Sequence, residues 1–317
     1  MNPTWLLIVM VLAYYGTLIT LLTRRGQAAG RKACDKQPYI ALCLTAVLGA
    51  GFLFYSKFSG GIDWSISLQI FAYLGVPSLV LWQIKNQGER ITWLDWVAIA
   101  MLWLPFDLHL IGRREHRIKD ALDWPLTAIS GVLIGLAFWV CLRRIEGTKM
   151  VLKFSWKDFA KVFAGLSVLL ILLLPLGFAS GFLVPRDFWR QELAQSSLPS
   201  VIWKHLATWK FLWYLIKIYI TIGISEEFMF RGIIQNFLEK TLNRPNLAWF
   251  FASILFGLAH LNNGARGLAI WDWNWTYAGF ATIAGLAYGQ VFRHSRSILY
   301  AVLLHALVDS IWHTFFL

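Results

Sequence analysis

Stretches of about twenty consecutive apolar residues recur along nearly the whole of this chain, and no other feature narrows its fold as sharply. A helix needs about 20 mostly apolar residues to cross the hydrocarbon core of a bilayer. Only helices and closed barrels satisfy their backbone polar groups there. Candidate spans centre on residues 5–22, 38–58, 64–82, 93–110, 124–142, 159–183, 212–230, 247–260, 276–292 and 298–316. Barrel strands are short and alternating, whereas these runs are long and continuous. The expected fold class is therefore all-α, a polytopic transmembrane helical bundle of about ten membrane helices. Composition agrees: 58% of the residues are hydrophobic and only 15% charged, against about 25% charged in soluble domains. That is too little charge to coat a water-facing globule of this length.

The net charge is +12, from 29 Lys+Arg and 17 Asp+Glu. The basic residues fall in short loops between apolar runs, as cytoplasmic loops do, so no nucleic-acid partner is expected. The first run has no basic residue before it and Arg24, Arg25, Arg31, Lys32 and Lys36 after it. That is the reverse of a cleavable signal peptide and predicts a retained helix with its N-terminus outside. The alternation of basic loops puts the Lys240–Arg244 loop in the cytoplasm; Arg113, Arg114, Arg117 and Lys119 break the pattern. The expected location is the cell membrane, with multiple passes. The three cysteines, Cys34, Cys43 and Cys141, show no CxxC spacing, which argues against a disulfide framework or a Cys-ligated metal. The basic stretch Arg143–Lys157 divides the chain into a membrane-helix region, 1–157, without an assigned role, and a second region, 158–317, that carries the chemistry.

That second region holds side chains a bilayer tolerates poorly. A charge at mid-membrane costs roughly 2.5–3.5 kcal/mol on insertion scales. Yet Glu226, Glu227 and Arg231 occur in ISEEFMFRG, His260 in ILFGLAH, and His305 and Asp309 in LLHALVDS. Gathered together, each offsets the desolvation of its neighbours. Spacing favours gathering. Glu227 and Arg231 are four apart and share a helix face, as do His305 and Asp309. Glu226 is rotated about 100° from Glu227, which leaves it available if Glu227 pairs with Arg231. Glu226 lies 14 positions before Lys240 and His260 lies 14 positions after Asn246, so both sit about 21 Å from the intervening turn at 1.5 Å per residue. Ala281, Gly285 and Gly289 form a small-xxx-small stripe, which permits close helix approach.

A carboxylate withdrawn from bulk water is suited to take a proton from a water molecule near neutral pH. Glu226 beside His260 could activate water, His305 could donate to a developing oxyanion, and Asp309 could orient His305. The set suits hydrolysis of a carbonyl compound, with no cofactor. No Ser stands in a GxSxG setting and no HExxH is present, so no metal is assigned. The residues alone still leave open a zinc-dependent membrane protease, a non-enzymatic membrane scaffold or immunity protein, and a transporter, although no inverted repeat is visible.

Glu226–Arg231 matches EExxxR, Phe256–His260 matches FxxxH, and His305–Asp309 matches Hxxx followed by Asn or Asp. In this order the three motifs resemble those of the CPBP family, the CAAX-prenyl-protease and bacteriocin-processing group also called Abi membrane proteins. The resemblance covers about residues 212–316. It implies a glutamate-dependent intramembrane endopeptidase acting on a peptide or membrane-protein substrate, lipidated in some members, within the lipid bilayer. It further implies that Glu226 and His260 activate water, that His305 and Asp309 stabilise the oxyanion, and that Glu227 and Arg231 support them. The prenyl proteases carry Asn at the last position; Asp309 donates no hydrogen bond when ionised.

Overall fold

The structure, a computed structural model, describes residues 3–59, 64–107, 111, 123–187, 192, 195–206, 208–263, 273–295 and 297–316. Apart from one isolated bridge, these residues form helices and the turns that connect them. In chain order the helices are α1 (Pro3–Leu21), α2 (Arg24–Lys36), α3 (Ile40–Ser59), α4 (Trp64–Gln83), α5 (Trp93–Asp107), α6 (Asp123–Gly135), α7 (Trp156–Ala179), α8 (Leu198–Leu206), α9 (Trp209–Ile218), α10 (Ile224–Glu227), α11 (Asn236–Leu242), α12 (Pro245–Leu258), α13 (Trp275–His294) and α14 (Leu299–Phe315). The chain is thus an all-α membrane bundle. Among the described residues, Ile40–Phe58, Trp64–Gln83 and Trp156–Ala179 are long and apolar enough to cross a membrane unaided. Shorter apolar helices lie at Trp93–Pro105, Leu126–Leu142, Pro245–Leu258 and Leu299–Phe315. The loop with Arg113, Arg114, Arg117 and Lys119 lies outside the described residues.

Contacts divide the chain into two units: Met1–Leu152 with Arg231–Pro245, and Lys153–Phe230 with Asn246–Leu317. In the first, the basic segment after α1, read from sequence as a loop, is the helix α2. The Thr23 hydroxyl caps it by accepting from the Gly26 amide at 2.9 Å, and α1 and α2 meet at 95°. Its mostly polar composition hid it from any search for apolar runs. Gln27 and Cys34 lie on its buried side. Asp95 of α5 would be costly against lipid. It is fully buried instead, paired with Arg143, and accepts from Trp139 Nε1 at 2.9 Å and the Thr92 amide at 2.8 Å. Arg143 Nε also donates to the Gly88 carbonyl at 3.1 Å, so the dry ion pair is hydrogen-bonded on both partners, as such pairs must be.

In the second unit, the Ser155 side chain caps α7. Gly181, at φ +70°, ends it, and the Leu183 amide returns to the Gly177 carbonyl at 3.0 Å. Leu183 then packs with Phe315 and Phe316 at the end of α14, where Pro185 bridges to Phe316. The run expected at 212–230 is helical from Trp209 to Leu242, but not uniformly. Tyr219–Gly223 and Phe228–Gln235 are π-helical and flank the short α10. Asn243, in the left-handed conformation, closes α11 and Pro245 opens α12, a stop–start pair typical of a tight interhelical turn.

Two glycines set helix spacing in the second unit. A Cβ on Gly257 of α12 would stand 2.5 Å from the Ala278 carbonyl oxygen of α13 and would also collide with the Thr282 hydroxyl. A Cβ on Gly223, just before α10, would stand 3.0 Å from Val302 Cγ1 of α14. These approaches bring α10 and α12 against the helices that carry the remaining polar groups.

Candidate active site

Glu226 and Glu227 end α10, the four-residue α-helical stretch held between two π segments. π segments recur at functional sites because they displace side chains from the regular α register. His260 lies just past the end of α12, and His305 and Asp309 lie one turn apart on α14. Side chains from these three parts of the second unit meet. Glu226 Oε2 is 3.9 Å from His260 Nε2 and 3.9 Å from His305 Nε2. Both distances exceed a direct hydrogen bond and fall within the span of one bridging water. His305 Nε2 is 3.4 Å from Asp309 Oδ2.

Exposure separates the two glutamates. The Glu226 side chain is 32% exposed and Asp309 30%, whereas Glu227 is 0% and His305 3% exposed. Glu226 and Asp309 therefore border open space, whereas Glu227 is enclosed by protein. Oε2 of Glu226, the oxygen turned toward the imidazoles, is buried and has no hydrogen-bond partner among the described residues.

Each imidazole is oriented by a bond at Nδ1. His260 Nδ1 donates to the Phe256 carbonyl one turn back, at 2.7 Å, which turns Nε2 toward Glu226. His305 Nδ1 donates to Glu227 Oε1 at 2.9 Å. The two consecutive glutamates thus meet opposite edges of one imidazole, Glu227 at Nδ1 and Glu226 at Nε2. The sequence reading expected Glu227 to be taken up by Arg231 and missed its bond to His305, 78 residues away. Arg231 is fully buried and belongs to the first unit.

Aromatic rings hold both imidazoles. Tyr277 lies nearly parallel to His260, centroids 5.3 Å apart and planes at 16°. Tyr288 lies parallel to His305 at 4.9 Å and 12°. Phe256 meets the His305 ring edge-on at 5.8 Å and is itself met edge-on by Phe230 at 5.1 Å. Neither tyrosine was singled out from sequence. The available signal was their spacing of 11 residues, about three turns of one helix face. Ala281 and Ala284 occupy the same face between them and leave room. An open pocket of about 50 Å³ results, lined by His260, Tyr277, Ala281, Ala284, His305 and Asp309 among others. Beside it lies a second cavity of about 40 Å³, lined by Leu169, Leu170, Leu183 and Phe316 among others. The two share Leu173, Val308 and Trp312 as a common wall.

Among the described residues, no three His, Cys, Asp or Glu side chains are placed to hold a metal ion. Residues 208–311 match the family model for type II CAAX prenyl endopeptidase Rce1-like proteins. No curated protein and no solved structure matches the chain.

Proposed function

We propose that this membrane protein, whose residues 208–311 match the model for type II CAAX prenyl endopeptidase Rce1-like proteins, is a protease with a glutamate-dependent mechanism. Water held between Glu226 and His260 attacks the peptide carbonyl carbon. Glu226 takes the proton that water loses. His305, whose Nδ1–H is taken by Glu227, acts as the doubly protonated imidazolium, and the oxyanion so formed accepts a hydrogen bond from its Nε2–H. Collapse breaks the C–N bond, and the proton on Glu226 passes to the departing amine. Glu227 is a positioning residue that holds His305 through Nδ1. Asp309 orients the same ring from the other edge. The substrate is a peptide or membrane protein. A lipid group attached close to the cleaved bond would meet the apolar wall of Leu173, Val308 and Trp312. The setting is a multi-pass protein of the cell membrane.

The observation that carries this reading is the position of Glu226 Oε2, 3.9 Å from two imidazole nitrogens and without a hydrogen-bond partner among the described residues. A buried carboxylate oxygen in that position calls for a water molecule. The test is Glu226→Gln, which keeps size and removes the base. Terminal peptides of membrane proteins are compared between cells carrying wild-type protein and cells carrying the folded variant. Cleavage products should vanish with the variant; their full persistence would end the glutamate mechanism.

A further inference from the structure

A tetrahedral oxyanion needs preorganised donors, and loss of one typically costs about 10²–10³-fold in kcat. On the peptidase reading above, His305 supplies one through Nε2. Its neighbour Asp309 supplies none as an anion. The His260 Nδ1–H is spent on the Phe256 carbonyl, and the His305 Nδ1–H on Glu227.

Tyr277 is differently placed. It lines the pocket with His260, His305 and Asp309, and its ring is stacked on His260. Its phenol carries an O–H donor, shares the pocket with the Asp309 carboxylate, and is hydrogen-bonded with the Asn263 side chain. Its position is built in. Asn274 caps α13 by accepting from the Tyr277 amide at 3.0 Å, and Asn274 is tied back by donating to the Asn263 carbonyl at 3.1 Å. The cap holds the first turn of α13, and with it Tyr277, at the pocket.

We infer that the Tyr277 hydroxyl is a second donor to the oxyanion, a catalytic contact that takes the place Asp309 cannot fill. When water adds to the carbonyl, the new C–O⁻ accepts from Tyr277 O–H and His305 Nε2–H together. Neither donor gives up its proton, and the C–N bond then breaks as described above.

The test uses the full chain in liposomes and a quenched fluorescent farnesylated CAAX peptide as probe. Tyr277→Phe keeps the ring and its stacking on His260. It should lower kcat about 10²-fold, change KM less than about threefold, and leave the melting temperature unchanged. Adding Asp309→Asn, which introduces an amide donor beside His305, should recover part of the lost kcat. Wild-type kcat in Tyr277→Phe overturns the inference while Glu226→Gln inactivity leaves the mechanism standing. A kcat loss matched by a lowered melting temperature overturns it in favour of a packing role, and the same loss in Trp312→Phe moves the donor elsewhere. Wild-type protein inert on this peptide, or a Glu226→Gln variant as active as wild type, overturns the peptidase reading and this inference with it.

Discussion

At the scale of single residues, the site distributes one task over two adjacent carboxylates by differences in burial. Glu227 is enclosed and bonded to His305 Nδ1, whereas Glu226 is partly exposed and faces both Nε2 atoms. An orienting carboxylate fixes the direction of an imidazole and stabilises its protonated form. Glu227→Gln keeps an acceptor for Nδ1–H but removes the charge. We expect kcat to fall about tenfold to a hundredfold with KM little changed, a smaller loss than for Glu226→Gln. Steady-state kinetics on both variants check this, and equal losses would mean that the two glutamates are not functionally distinct. From sequence, the residue types of this cluster were legible because each is expensive in lipid, and expense marks function. The bond from Glu227 to His305 was not legible, since local spacing offered Arg231 as the nearer partner. The tyrosines were passed over because aromatic residues in apolar helices carry no such cost.

At the scale of elements, the placement of the site depends on close helix approach and on departures from α geometry. The apolar runs showed where most helices lie. They did not show that Tyr219–Gly223 and Phe228–Gln235 are π-helical, because a π segment arises from packing and has no side-chain signature of its own. Nor did they show α2, whose helix is amphipathic and largely polar. Gly257 is the position where a small change should have a large effect. Its missing Cβ makes room for the Ala278 carbonyl and Thr282 hydroxyl of α13, so Gly257→Ala must push α12 and α13 apart. Overpacking of this kind costs about 1–3 kcal/mol, and the displacement draws His260 away from Glu226. Gly279→Ala on α13, where a Cβ meets nothing within 4 Å, is the control. Thermal melts in detergent should show a lowered midpoint for Gly257→Ala alone, and equal midpoints would refute the close-packing argument.

At the scale of the molecule, Glu226, His260, His305, Asp309 and Tyr277 all belong to one unit, Lys153–Phe230 with Asn246–Leu317, and all lie within the 208–311 match. The similarity to a protease family therefore covers about a third of the chain. The competing zinc reading makes a whole-protein prediction of its own. With two imidazoles and several carboxylates in one cluster but no three of them at metal-binding separation, 1,10-phenanthroline should leave cleavage unchanged. Inhibition reversed by added zinc would instead show that the cluster closes around a metal. The face of α13 that runs Tyr277, Ala281, Ala284, Tyr288 carries a last consequence. The two methyl side chains act as a caliper on whatever reaches the imidazoles, so replacing either with leucine would exclude bulky inhibitors and still admit slender ones. A cell holding a narrowed copy beside the original would then allow one to be silenced while the other keeps working.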